Sequence, residues 1–420
     1  MYKQQFRDED FGFIAATSDG TISPYGHGAA RALAGWREAE LPEHRLGKLP
    51  ADARLRAPIF VTVELTLRCN LTCTHCYISA GEARENELST GEIKDLLDRI
   101  HDFGVFHVFL TGGEPTLRAD FPEILCHAHD IGLNVNIDTN ATGFSRRLFG
   151  SIPDATTFVV SVDGIDAHKE LRGNQSFAQV TRRISAAREA GFPVLTNAVV
   201  NKVNLRDLPG LYDWAERERI VLVSLDLYNV GQADRNSSFL FLDHQDIPSY
   251  ADFIDRKVEF DKLLPELFAE TFSGPRVYSN PFYYSFSEDC IRATGQNYQG
   301  NYFLYVTADG EIYPDNYYAG ESLYPCGNIR EHGLPELFHR ARDLVRDSNY
   351  NSFNCSGCPI HENGYFCDFK SAVMSMNLYG SANECGAYGI MKELILLRER
   401  RQRTALGSEN LELLRLYDNY

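Results

Sequence analysis

The chain carries ten cysteines, and their spacing is uneven. Cys69, Cys73 and Cys76 stand at x3 and x2 spacing in one stretch, Glu64-Leu-Thr-Leu-Arg-Cys69-Asn-Leu-Thr-Cys73-Thr-His-Cys76-Tyr77. Cys355, Cys358, Cys367 and Cys385 form a second group, Cys290 and Cys326 are more isolated, and Cys126 stands alone. The N-terminus, MYKQQFRDEDFGF, lacks a secretory signal pattern, so the chain reads as cytoplasmic. In that compartment ten thiols do not pair off as disulfides, and clustered thiols point to metal or redox chemistry. The trio can converge on one site. A cubane cluster offers four irons, so three thiolates leave one corner open. An open metal position marks a catalytic centre rather than a structural one. Zinc would need a fourth ligand, for which His75 is the candidate. The later group can close either one iron–sulfur cluster or a structural zinc site. Cys126, in a helical segment, reads as a small core residue.

These residues need elements to position them. FVTVELT (60–66) is a β-branched run and hence a strand. A helix follows from Ser89 to His101, with Ser89 or Thr90 as its cap. Further strands are expected at 107–112, 134–140, 156–164, 194–200 and 220–230. Helices are expected at 120–130, about 144–150, 176–190 and 205–219, with helical structure on to about 270. Six strand–helix units in succession mean parallel strands joined by helical crossovers. The fold class is therefore α/β, either a partial barrel of six units or an open doubly wound sheet. In both, functional groups sit on loops after strand C-termini, where the cysteine trio lies. NYFLYVTADGEIYP (301–314) reads as a hairpin turning at 308–310. Residues 340–385 carry cysteines with little regular structure, which suits a segment folded by metal. The expected organisation is an N-terminal extension (1–57, with a helix in AARALAGWREAE), an α/β unit (58–272), a cysteine-rich domain (273–390) and a charged helical tail (391–420).

C-x3-C-x2-C followed by an aromatic residue, Tyr77, resembles the signature of the radical S-adenosylmethionine (radical SAM) superfamily. That likeness selects the partial (β/α)6 TIM-like barrel. It implies a [4Fe–4S] cluster on Cys69, Cys73 and Cys76 whose open iron is chelated by SAM. One electron then cleaves SAM to a 5′-deoxyadenosyl radical that abstracts a substrate hydrogen atom. Thr111-Gly112-Gly113-Glu114-Pro115 resembles the family's GGEP motif, which contacts the SAM amino group. Ser161-Val-Asp163-Gly164, with His168, Arg172 and Gly173, is similar to the SxDG…H…RG stretch of a subgroup with C-terminal cluster domains. Arg172 is the implied partner of the SAM carboxylate. Asn140 and Ser161 fall where relatives contact the ribose, and Asn197 and Asn201 are candidates of the same kind. The C-terminal region resembles the SPASM domain, with Cys290, then Gly310-x4-Asp315, then Gly327-Asn328-Ile329 upstream of the cysteine group. It departs from that pattern where Asp315, Gln296 and Ser371 replace cysteines. The resemblance thus implies one auxiliary [4Fe–4S] cluster on Cys355, Cys358, Cys367 and Cys385. It leaves a second to Cys290, Asp315 and Cys326. Asn316 stands where some relatives place a general base, so no proton acceptor is named.

Composition narrows the partners. The chain has 420 residues, 44% of them apolar and 24% charged, which is ordinary globular composition. Its formal charge of −17 would repel nucleic acid and anionic membranes, and no apolar run approaches a membrane span. The resemblance to radical SAM proteins with a SPASM domain implies, as the leading expectation, a maturase that crosslinks, oxidises or epimerises a ribosomally made peptide or protein. An electron donor such as flavodoxin or ferredoxin would serve it, with a separate peptide-recognition protein as a further partner. The alternative is a small-molecule dehydrogenase or epimerase acting on a sugar or aminoglycoside. A non-catalytic iron–sulfur or zinc scaffold is the third reading, and it needs no open cluster corner.

Overall fold

The structure, a computed structural model, describes residues 5–10, 12–16, 22–26, 54–225, 227–228, 230–272, 303–322 and 325–347. Twelve strands are described. β1 (Gln5–Glu9), β2 (Gly12–Ala16) and β3 (Ile22–Gly26) make a small antiparallel sheet. β4 (Phe60–Thr66), β5 (His107–Gly112), β6 (Val135–Thr139), β7 (Thr157–Ser161), β8 (Val194–Val199) and β9 (Leu222–Leu225) are parallel neighbours in chain order. β10 (Phe303–Val306), β11 (Glu311–Tyr313) and β12 (Gly327–Asn328) extend the same sheet beyond β4. Helices Thr90–Asp102, Phe121–Asp130, Phe177–Glu189 and Leu208–Arg217 lie in the crossovers. The first starts at a capping box, in which Ser89 and Glu92 satisfy each other's backbone N–H groups, and it buries Ile93, Leu96, Leu97 and Ile100.

Paired residues in a parallel sheet share a face. The register therefore sorts β4–β8 into two surfaces. Val61, Val63, Val108, Leu110, Ile137 and Phe158 share one face, and all are buried. Phe158 stacks on Phe144 and Phe192 of the connecting segments, so this face meets the outer layer. The other face is graded. At its N-terminal end Phe60, Phe109 and Phe303 form an aromatic floor, with ring centroids at 5.9 Å and 4.8 Å from Phe60. Toward the C-terminal ends it turns polar, with Glu64, Thr111, Asp138, Ser161 and Asn197. The sheet is thus apolar where it needs a core and polar beside the loops.

The parallel pairing of β10 with β4, Phe303↔Phe60 through Val306↔Val63, has no local signal in the sequence. A buried carboxylate fastens it. Glu64 accepts hydrogen bonds from Tyr305 Oη (2.6 Å) and the Ala308 N–H (3.0 Å). The expected hairpin is present, with Gly310 at φ +89° closing its turn.

Three expectations change. The N-terminal extension contains strands, which the charged, Pro-bearing segments had masked (its expected helix lies outside the described residues). Arg7 anchors this sheet below the barrel, donating to Pro58 O and Gly104 O at 3.0 Å each, at the end opposite the cysteine loop. β9 is shorter than 220–230 because the chain turns away to reach that loop. The helix Leu334–Asp347 occupies the start of the segment expected to be irregular. Among the described residues, no helix is long and apolar enough to cross a membrane.

Tyr305→Phe removes a donor from buried Glu64 and is expected to cost about 1–3 kcal/mol. A fall in the urea midpoint with an unchanged slope is the expected reading.

Candidate active site

The loop after β4 is held from several sides. The Cys69 N–H donates to Gly81 O (2.8 Å), Thr74 N–H to Leu171 O (2.9 Å) and Gln232 N–H to Cys76 O (2.9 Å). Asn236 Nδ2 donates to Thr74 O at 3.0 Å. The backbone has little space to spare. A Cβ on Gly231 would lie 2.3 Å from Tyr77 O, and one on Gly113 would lie 2.3 Å from Arg68 O. A Cβ on Gly112 would meet Thr66 O at 2.2 Å. The glycines of the GGEP stretch therefore admit the cysteine loop itself against the end of β5.

Each cysteine sulfur has at least one N–H donor beside it. Asn140 Nδ2 lies 3.9 Å from Cys69 Sγ, Arg172 Nη1 3.8 Å from Cys73 Sγ, and the Ala80 N–H 3.3 Å from Cys76 Sγ. Behind them runs a connected polar network. Arg172 Nε donates to Asp163 Oδ2 (2.5 Å), and the Val199 N–H donates to Asp163 Oδ1 (2.9 Å). His75 Nε2 lies 3.3 Å from Asp163 Oδ2. The Asp163 N–H donates to His168 Nδ1 (3.1 Å), which fixes the tautomer, so Nε2 donates to Gln175 Oε1 (3.3 Å). Gln175 Nε2 donates to Asn140 O at 2.8 Å. The chain thus runs from Cys73 through Arg172, Asp163, His168 and Gln175 to Asn140 and Cys69. Burial alone would raise the Asp163 carboxyl, but Arg172 and His75 hold it well below the usual range. Burial pushes the Cys73 thiol up to about 12, and raises Cys69 and Cys76 as well.

Glu114 is buried, and both its oxygens are taken. Thr116 Oγ1 (2.5 Å) and Thr139 Oγ1 (2.7 Å) donate to Oε1, and the Asn140 N–H (2.8 Å) donates to Oε2. Its visible work is to brace Asn140 at the end of β6. Tyr77 points the other way. Its hydroxyl is 2.8 Å from Tyr305 Oη, and its ring lies 6.1 Å from that of Tyr228. Ser161 and Asn197 pair across β7 and β8 on the polar face. Asn201 closes its own turn, accepting from the Val203 and Asn204 N–H groups. Asp315 and Cys326 are both buried, and Cys326 belongs to the apolar core. Cys290, Cys355, Cys358, Cys367 and Cys385 lie outside the described residues. Cys126 is half-buried. The sequence reading missed Gln175 and Thr139, which carry no motif of their own. It assigned no role to Asp163 or His168, although both stand within the SxDG…H stretch.

The radical SAM superfamily model matches residues 63–215. Fe-coproporphyrin III synthase of Methanosarcina barkeri is 30% identical over 338 residues, which is 76% of this chain and 81% of that protein. The chain belongs to the radical SAM superfamily. PqqA peptide cyclase of Xanthomonas axonopodis pv. citri is 27% identical over 320 residues, covering 73% of this chain and 81% of that protein. Among solved structures, Streptococcus suis SuiB bound to its precursor peptide SuiA shares the fold. Its TM-score is 0.62 at 14% identity, over 89% of this chain and 96% of that one. This fold likeness agrees with the expected TIM-like partial barrel.

Radical SAM enzymes use a [4Fe–4S] cluster and SAM, and the residues present fit them. Burial opposes ionisation of the three thiols, a cost that binding a metal centre offsets, and each sulfur has an N–H donor of the kind that such thiolates accept. Among the described residues, no three Cys, His, Asp or Glu groups converge on a single ion. A cluster instead spreads its ligands over separate irons. Cys69, Cys73 and Cys76 would hold the cluster, leaving one iron for SAM. When bound, the pair supplies the reductive cleavage that starts the radical reaction. This chain's residues hold the loop and orient the sulfurs.

Gly113→Ala forces a methyl into Arg68 O and is expected to remove about four irons per chain while far-UV dichroism is kept. Gly91→Ala, where a Cβ meets nothing within 4 Å, should keep full iron content.

Proposed function

We propose that this radical SAM enzyme abstracts a hydrogen atom from a ribosomally made peptide or protein, leading to a crosslink, an oxidation or an epimerisation. The observation that carries this reading is that two separate comparisons meet on peptide-acting proteins, the fold of SuiB bound to its precursor peptide and the sequence of the PqqA peptide cyclase. Its 320 aligned residues are more than the barrel (58–272) contains, so the similarity is not confined to the radical core. The open sheet supports it too. β9 and β12 are its two edges among the described strands, and a barrel left unclosed admits an extended chain. Arg172 would share its guanidinium between Asp163 and the SAM carboxylate. Asn140, Ser161 and Asn197 would meet the ribose. In this reading a flavodoxin- or ferredoxin-like protein supplies the electron, and Cys355, Cys358, Cys367 and Cys385 hold an auxiliary cluster. Cys326, sunk in apolar core, is a poorer candidate ligand than Asp315 beside the polar hairpin.

A second reading, a small-molecule substrate, is favoured by the Fe-coproporphyrin III synthase relative. One assay separates them. The reconstituted enzyme is incubated without oxygen with SAM, dithionite and short peptides encoded beside its gene, or with a porphyrin or aminosugar. The expected result is 5′-deoxyadenosine formation that rises with a peptide, together with loss of two hydrogens or uptake of solvent deuterium by that peptide. Stimulation by the small molecules alone would overturn the peptide reading.

A further inference from the structure

The three sulfur-facing donors are not equivalent. Asn140 and Ala80 offer neutral N–H groups to Cys69 and Cys76, whereas Cys73 faces the guanidinium of Arg172 at 3.8 Å. That charge is not free to move. Nε is committed to Asp163 at 2.5 Å, and Asp163 is itself fixed by the Val199 N–H and by its own N–H to His168. The side chains of Arg172 and Asp163 are 11% and 0% exposed, so water screens them little. The pair is neutral overall, but its positive end is turned to the sulfur and its negative end is turned away. A fixed dipole in that orientation favours added negative charge at the sulfur side.

We propose that Arg172, held in place by Asp163 as a positioning residue, sets how readily the centre on Cys69, Cys73 and Cys76 accepts an electron. Reduction adds one electron from a low-potential donor such as dithionite, and no bond forms or breaks at Arg172. Arg172 stabilises the added charge, and Asp163 opposes it from the second layer while aiming the guanidinium. Hydrogen bonds and nearby charge are general levers on the potential of an iron–sulfur centre. The potential of this centre is set by the loop and its neighbours, whichever substrate the enzyme takes.

The two residues therefore make predictions of opposite sign. Full-length protein, reconstituted without oxygen, is titrated with dithionite and followed by electron paramagnetic resonance. The loop centre is identified as the signal missing from a Cys69→Ala/Cys73→Ala/Cys76→Ala variant. Arg172→Gln is expected to lower the reduced-to-oxidised ratio at a fixed potential about tenfold, a shift of ~59 mV to more negative values. Asp163→Asn keeps the shape and an amide oxygen that accepts from Arg172 Nε, so the guanidinium stays aimed while the opposing charge is removed, and the midpoint is expected to shift to more positive values. If Arg172→Gln does not fold, the sign for Asp163→Asn alone decides. Shifts of the same sign, no shift, or loss of the loop iron from both variants would overturn the proposal and leave Arg172 a scaffold residue.

Discussion

Three half-buried thiols stand on one loop and resist ionisation; burial, together with the neighbouring Cys76 and Asp163, pushes Cys73 up to about 12 against the opposing charge of Arg172. Such a group becomes stable as thiolates around a metal centre. Much of the surrounding structure follows from holding that loop. The chain cannot lie on the end of β5 unless residues 112 and 113 lack a Cβ, and residue 231 must likewise be glycine where the segment after β9 crosses Tyr77. Backbone groups inside the loop find partners at Gly81, Leu171 and Gln232, which removes the cost of leaving them unsatisfied. The sulfurs are met by Asn140, Arg172 and Ala80, and the first two are joined through Asp163, His168 and Gln175.

The sheet supplies the rest. One face is sealed by apolar side chains and gives stability, and the other grades from an aromatic floor to a polar rim beside the loop. The hairpin β10–β11 continues this sheet through Glu64 and Tyr305, and Tyr77, directly after Cys76, bonds to Tyr305. The cysteine loop therefore touches the polypeptide that leads into the cysteine-rich region. The N-terminal sheet sits at the opposite end, on Pro58 and Gly104.

Much of this is legible in the sequence. The strands expected at 60–66, 107–112 and 194–200 and the cap expected at Ser89 or Thr90 have local causes; the structure ends the third strand at Val199 and caps the helix with Ser89. The C-x3-C-x2-C spacing and the motifs after β5 and β7 could be read because chemistry fixes their residue types. The pairing of β10 with β4 could not, since its partners are more than 240 residues apart in the chain and leave no local pattern. Nor could the detailed work of Glu114 and the glycines. A carboxylate beside two glycines suggests ligand contact, and nothing local in the sequence points to the further work the structure shows, Glu114 bracing Asn140 and the glycines admitting backbone. Gln175 was invisible because a single bridging amide has no motif.

The central claim is that Cys69, Cys73 and Cys76 carry a four-iron cluster with one corner open to SAM. The most direct test is iron and sulfide per chain after reconstitution without oxygen, in the native protein and in the Cys69→Ala/Cys73→Ala/Cys76→Ala variant. The account predicts that the variant loses about four irons and four sulfides and keeps the iron bound elsewhere. Zinc in place of iron, or an unchanged iron count in the variant, would contradict it.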